Sequence, residues 1–368
     1  MSHVNTLWPI EPHTAAKHAI LRAYLAAWFP ILGAHHDRIV YYDGFAGPGR
    51  YEGGEDGSPI IALKVATEHR SAPSGTIHFY FVEERPDRAE QLGKEVEAVH
   101  AAAKFRTTVT CGDFESELGR ALDAIDDGGL RDAPTFAFID PFGIKNIPFE
   151  LIKRLLVRPR CETLITFMNV ALQRFPEELA DHVDRLFGKA ASHALLCAET
   201  DAAARVAKAR ILYASSLGDV AKFVRYFAMR DRADRPIYDL FFASNHPLGH
   251  SKMKESMWKV DESGDFRFSD GVDPKQAVLF SNDPGKGLAP VLLRQFAGRT
   301  MDVGEVFGFV NDKTAYLEKH ARAALKVLET PDSKFPRIAV ANLKRDGLKR
   351  KGGTFPSGAI VTFPKMES

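Results

Sequence analysis

The sequence predicts an α/β fold built on a doubly wound parallel sheet, and three observations carry that expectation. Strand-like runs recur along the first 170 residues, each closing on an acidic residue or a glycine turn, and helical stretches separate them. A glycine-rich turn follows the first run, where such sheets place their ligands. No internal repeat or low-complexity tract competes with this reading.

The first strand is Arg38-Ile39-Val40-Tyr41-Tyr42, running into Asp43-Gly44-Phe45-Ala46-Gly47-Pro48-Gly49. Gly47 and Gly49 let the backbone turn sharply and approach a ligand that a Cβ would exclude. No Lys-Ser/Thr pair follows, which excludes a Walker loop, and the order is not G-x-G-x-x-G. The remaining pattern, D-x-F-x-G-x-G, resembles the first motif of S-adenosylmethionine (AdoMet) methyltransferases; an ordinary tight turn is the alternative. The residues assigned to cofactor here are Asp43, Phe45, Ala46, Gly47 and Gly49.

The second run, Thr76 to Val82, ends at Glu83, whose carboxylate can accept from both hydroxyls of a ribose; the other reading is an acid complementing a helix N-terminus. The third, Thr107 to Thr110, leads to Asp113 and Phe114. Asp113 sits where methyltransferases place the carboxylate that reads the adenine amino group, and on its own reads equally as the cap of the helix that begins at Glu115. The fourth, Pro134 to Ile139, ends in Asp140-Pro141-Phe142-Gly143. Methyltransferases acting on amino groups carry D/N-P-P-Y/F at this position, here without the second proline; the resemblance implies that Asp140 and the Pro141 carbonyl accept N–H bonds and turn the nitrogen toward the methyl donor, while Phe142 stacks on the ring. Asp140, Pro141 and Phe142 are the candidate catalytic residues. D-P-F-G resembles the variant found in tRNA guanine-N2 dimethyltransferases; an Asp-Pro turn closing a strand is the plainer reading.

Before the first strand, residues 14 to 30 read as an amphipathic helix covering the cofactor mouth, with Lys17 on its solvated face. Glu162 to Phe167 supplies a fifth strand. Residues 176 to 235 read as a helical insertion, including one long helical pattern from Ala202 to Met229. Ile237 to Ala243 is a late strand, and Ser263-Gly264-Asp265 a turn. His246 and His250 read as part of a structural or phosphate-contacting loop, and His35-His36-Asp37 as solvated. Ser58 reads as the cap of a helix starting at Pro59.

From about Pro284 the pattern changes to three helical runs followed by two strands, a winged-helix-like α+β arrangement over 284 to 368. Lys319, His320, Arg322 and Lys326 lie on its last helix. The loop that follows carries Lys344, Arg345, Lys349, Arg350 and Lys351, assigned to nucleic-acid phosphates because these cations cluster while the chain's net charge is only +1.

Taken together, His13-Thr14-Ala15-Ala16-Lys17, Asp43 to Gly49 with Gly57 to Leu63, Phe138 to Gly143, Glu162 to Met168 and His246 to Trp258 resemble the three-Cys-motif partner (TcmP) family over nearly the whole chain. The resemblance implies a Rossmann-like class I methyltransferase core over 1–175 and 236–283. It also implies a partner, a phage-type protein with three clustered cysteines, similar to radical-AdoMet enzymes. This chain's own cysteines, Cys111, Cys161 and Cys197, are dispersed, suggesting neither a cluster nor a zinc site and fitting a reducing, cytoplasmic compartment. No apolar run is long enough for a membrane span. The resulting expectation is an AdoMet-dependent N-methyltransferase acting on a nucleic-acid base, DNA or RNA. The alternative is a catalytically silent methyltransferase-like subunit that binds nucleic acid or regulates its partner.

Overall fold

The computed structural model describes residues 5–68, 75–99, 105–144, 147–173, 180–261, 267–270, 284–330, 334–344 and 349–365. They form two compact units. The first holds an eight-stranded sheet in the order β3-β2-β1-β4-β5-β7-β6-β8. Its strands are β1 (Arg38–Asp43), β2 (Thr76–Glu83), β3 (Phe105–Cys111), β4 (Thr135–Ile139), β5 (Cys161–Phe167), β6 (Phe223–Arg230), β7 (Pro236–Ser244) and β8 (Arg267–Ser269). The first five are mutually parallel, and β7 runs antiparallel between β5 and β6.

The central strands are buried on both faces, which is why they read as unbroken apolar runs. Tyr41 packs on Phe29 and Phe79 on one side, while Tyr42 joins the cluster of Phe149, Phe187 and Tyr213 on the other. Helices α1 (Pro12–Gly33), α2 (Ser58–Glu68) and α3 (Pro86–Val99) pack in succession, and α9 (Pro247–Trp258) joins α1. The second layer holds α4 (Phe114–Asp127), α5 (Phe149–Leu156), α6 (Ala180–Phe187), α7 (Ser192–Cys197) and α8 (Ala202–Gly218). Pro12 opens α1 where a missing N–H costs nothing.

Three local readings change. The helical pattern expected from Ala202 to Met229 stops at Gly218, and Phe223–Arg230 is strand β6, whose aromatic and β-branched residues suit a pleated surface. Helices α6 to α8 belong to the same compact unit as the sheet: Leu186, Phe187, Ala209, Tyr213 and Leu217 share one core with β4 and β5. The stretch around His246 and His250 is helix α9, not a loop. His246 caps it by accepting from Leu248 N–H at 3.2 Å, and His250 is buried against Phe223 and accepts from Arg225. The turn expected at Ser263-Gly264-Asp265 lies outside the described residues.

The second unit runs α10 (Pro284–Phe296), β9 (Thr300–Asp302), α11 (Val303–Lys313), α12 (Glu318–Glu329), β10 (Ala339–Lys344) and β11 (Ala359–Thr362). Its antiparallel sheet has the order β10-β11-β9, and its core gathers Leu288, Leu292, Val306, Leu325 and Val361. Asp302 opens α11 with a capping box completed by Glu305, which fixes the short strand against the helix. Among the described residues, no helix is long and apolar enough to cross a membrane.

Candidate functional site

Doubly wound sheets bind ligands at the carboxyl ends of their strands where the strand order reverses. Here the reversal lies between β1 and β4, and a cleft of about 910 Å³, counting solvent at its mouth, opens there. Its wall includes Phe45, Ala46, Gly47 and Gly49 from the loop after β1, and Asp140, Pro141 and Phe142 from the loop after β4. Two motifs about a hundred residues apart in sequence thus line one cavity. Helix α1 contributes His13, Lys17 and His18, and β5 and β7 contribute Thr166 and Tyr238.

The glycine loop is pinned from three sides. Gly44 N–H donates to Phe138 O at 3.0 Å, Ala46 N–H to Val82 O at 2.8 Å and Gly47 N–H to Glu83 Oε2 at 2.9 Å. Gly47 and Gly49 hold φ of +64° and +86°, backbone that L side chains rarely adopt. Beyond the turn, Arg50 bridges Asp56 at 2.7 Å and Glu95 at 2.5 Å.

The remaining cofactor candidates stand behind the cleft. Asp43 is fully buried and faces the loop's own groups: Phe45 N–H at 3.3 Å, the Tyr41 hydroxyl at 3.4 Å and the Ser58 side chain. Burial pushes its carboxyl up to about 7. Glu83 is buried too, and accepts Gly47 N–H and Arg85 N–H, both at 2.9 Å; burial raises it above the usual carboxylate range. Asp113 caps α4 by accepting Ser116 N–H at 3.0 Å, and that bond lowers it. Phe114 stacks on Phe45 at 5.0 Å and packs against Gly44. Asp43, Glu83 and Phe114 contact the loop, Asp113 only caps α4, and none of the four is among the residues lining the cavity.

Asp140 is the polar centre of the cleft. Oδ2 accepts from Lys17 Nζ, and Oδ1 accepts from Thr166 Oγ1 at 2.5 Å. Lys17 is 4% exposed, so the solvated lysine read from the sequence is instead a buried ion-pair partner, its Nζ 5.2 Å from the Tyr238 ring centroid. His18 next to it is buried, with Nδ1 lacking a partner, and burial lowers its pKa to about 3, keeping the ring neutral. Phe142 is 48% exposed and meets the edge of Trp8 at 6.3 Å; Trp8 in turn stacks under Arg88 and meets Tyr51. His18, Thr166 and Trp8 escaped the sequence reading, and Lys17 was read as solvated, because their roles arise from contacts with Asp140, Tyr51 and Phe142, distant in the chain.

In the second unit, Lys349 and Lys351 are exposed, and Lys326 of α12 reaches Gly353 beside them. Arg350 does not belong with that surface. It is buried, paired with Glu329, and donates to the carbonyls of Ala341 and Thr354, so its charge is used inside the unit. His320 likewise turns inward, accepting Leu317 N–H at 3.1 Å. Lys344 ends β10, and Arg345 lies outside the described residues.

The fold and cleft define an α/β protein with an open cleft at its topological switch point. The chain is similar to Trm1 from Pyrococcus horikoshii in complex with S-adenosyl-L-methionine, at 13% identity and TM-score 0.36 over 70% of this chain and 61% of that one. It is also similar to cofactor-bound Rv0187 from MTB, at 14% identity and TM-score 0.34 over 64% and 91% of the two chains. An O-methyltransferase from Bacillus cereus in complex with SAH matches at 15% identity and TM-score 0.34 over 64% and 80%. The chain thus spans 61% of the Trm1 chain. No family model and no curated protein matches it.

Proposed function

We propose that the chain is an AdoMet-dependent N-methyltransferase acting on an exocyclic amine of a nucleic-acid base. The observation that carries this reading is Asp140, held between Lys17 and Thr166 beside the glycine loop. A carboxylate so held accepts but does not donate, and each oxygen keeps a further lone pair. Its complement is an N–H donor, as an amine is. Phe142 and Trp8 offer aromatic surface on which a base can stack.

AdoMet supplies an electrophilic methyl group on a sulfonium. The residues suit it: above Gly47 a Cβ would meet only the Trp8 ring, at 3.8 Å, and His18 Nδ1 is a buried polar atom of the kind a ligand satisfies. Phe45, Ala46, Gly47 and Gly49 would hold it, with Glu83 and Asp113 supporting from behind. Asp140 orients the amine, Phe142 bounds the acceptor side, and Trp8 with Tyr51 limits water. In the second unit, a winged-helix-like arrangement, Lys326, Lys349 and Lys351 would contact phosphates. A three-Cys-motif protein is the proposed partner.

One observation favours the silent-subunit alternative: both oxygens of Glu83 already accept backbone N–H bonds. Incubation with methyl-tritiated AdoMet and separate pools of total RNA and denatured genomic DNA, followed by nucleoside mass spectrometry, decides between them. Label on a base amine supports transfer. AdoMet binding with no label in either pool supports the silent subunit.

A further inference from the structure

An amine that gains a methyl group must release a proton, and Asp140, already paired with the Lys17 ammonium, is assigned above to orienting the amine. His13 lines the same cleft, and Asp270 stands behind its ring. His13 Nδ1 lies 3.0 Å from Asp270 Oδ2. Carboxylate oxygens accept, so Nδ1 carries the hydrogen and Nε2 keeps its lone pair.

The ring is held in that pose. Tyr238 meets it edge-on at 5.7 Å, and the Tyr238 hydroxyl donates to the His13 carbonyl at 3.2 Å. The side chains are 18% and 11% exposed, and His13 lines the cleft. Asp270 Oδ1 is buried and has no hydrogen-bond partner among the described residues. A purely structural carboxylate saturates its oxygens, as Glu162 does with Tyr24, Trp28 and Ser244; Asp270 serves the imidazole alone.

We propose that His13, oriented by Asp270, accepts the proton released when the acceptor amine is methylated. The inference rests on the methyl-transfer reading above. The amine lone pair forms the new N–C bond and the electrons of the broken S–C bond stay on sulfur. The N–H proton passes to His13 Nε2, where Asp270 balances the imidazolium, and then to water.

The test uses the full chain, tritiated AdoMet and the same two nucleic-acid pools. His13→Gly is expected to lower the single-turnover rate by about a hundredfold, with AdoMet affinity within about twofold. Added imidazole is expected to restore at least about tenfold, in proportion to its free base. In ¹⁵N-histidine spectra, wild type should show the Nδ1–H tautomer at His13 and Asp270→Asn should lose it. A transfer rate in His13→Gly equal to wild type, a loss that imidazole leaves unrescued, or an Nε2–H tautomer in wild type overturns the dyad while leaving methyl transfer standing. Wild type that labels neither pool overturns both.

Discussion

At the cleft, Lys17 of α1 reaches Asp140 beyond β4; about two and three turns further along the same helix, Tyr24 and Trp28 reach Glu162 at the start of β5. The two carboxylates receive opposite treatment. Asp140 has a cation, one hydroxyl and an open cavity in front of it. Glu162 has only neutral donors, the Tyr24 hydroxyl, the Trp28 indole at 2.9 Å and the Ser244 hydroxyl at 2.7 Å, and burial raises its pKa. A charge kept for chemistry is neutralised but left reachable. A carboxylate used as a tether has donors on both oxygens and is 5% exposed, here tying α1 to β5 and β7 at the edge of a second cavity.

Substitution at each end should break the comparison cleanly. Asp140→Asn keeps the volume but removes the charge proposed to orient the amine, and transfer is expected to fall about a thousandfold with little change in AdoMet affinity. Normal transfer by this variant reduces Asp140 to a turn residue. Glu162→Ala leaves three buried donors without an acceptor, and unfolding free energy in urea should drop by about 3 kcal/mol while transfer per folded molecule is unchanged. A loss of transfer from a stably folded Glu162→Ala protein would merge the two roles.

Asp43 sharpens the contrast, being buried like Glu162 but lying under the active loop. Its folded pKa, about 7, stands above the ordinary 3.8. As pH rises, the unfolded chain releases this proton first, so stability should fall from near pH 4 to about 7 and level off beyond. The slope reaches at most about 1.4 kcal/mol per pH unit, and Asp43→Asn should flatten it. Urea denaturation of both proteins at pH 5 and 8 checks this, and a flat wild-type profile contradicts it. The smallest effect belongs to the second unit, where Arg350 is neutralised by Glu329 and Lys349 and Lys351 are not. Lys349→Gln with Lys351→Gln should reduce the salt slope of nucleic-acid binding by about 0.9 per contact without altering base preference. An unchanged slope points to a protein-docking surface.

Much of this architecture was legible because it is local. Buried parallel strands read as apolar runs, and the turns after β1 and β4 announce themselves through Gly47, Gly49 and Asp140-Pro141. Register at strand ends was legible as well, so Glu83 and Asp113 were found. Their roles were not, since a carboxylate behind a loop and one facing a cavity have the same sequence signature. Lys17 shows the limit most clearly: on a helical wheel it is one polar residue, and only the packing of α1 against β4 and β5 makes it the partner of Asp140. Strand β6 was hidden for a related reason, since alternation in Phe223–Arg230 follows directly on a helix with a similar apolar content.

The central claim is that the loop after β1 and the residues after β4 form one AdoMet site with separable duties. Isothermal titration of AdoMet into wild type, Asp140→Asn and Gly47→Val tests it most directly. A side chain at Gly47 forces a branched residue into φ of +64° and intrudes where the ligand would lie. The account predicts saturable one-to-one binding to wild type and Asp140→Asn, and none to folded Gly47→Val. No binding to wild type at about millimolar AdoMet, or equal binding to Gly47→Val, would contradict it.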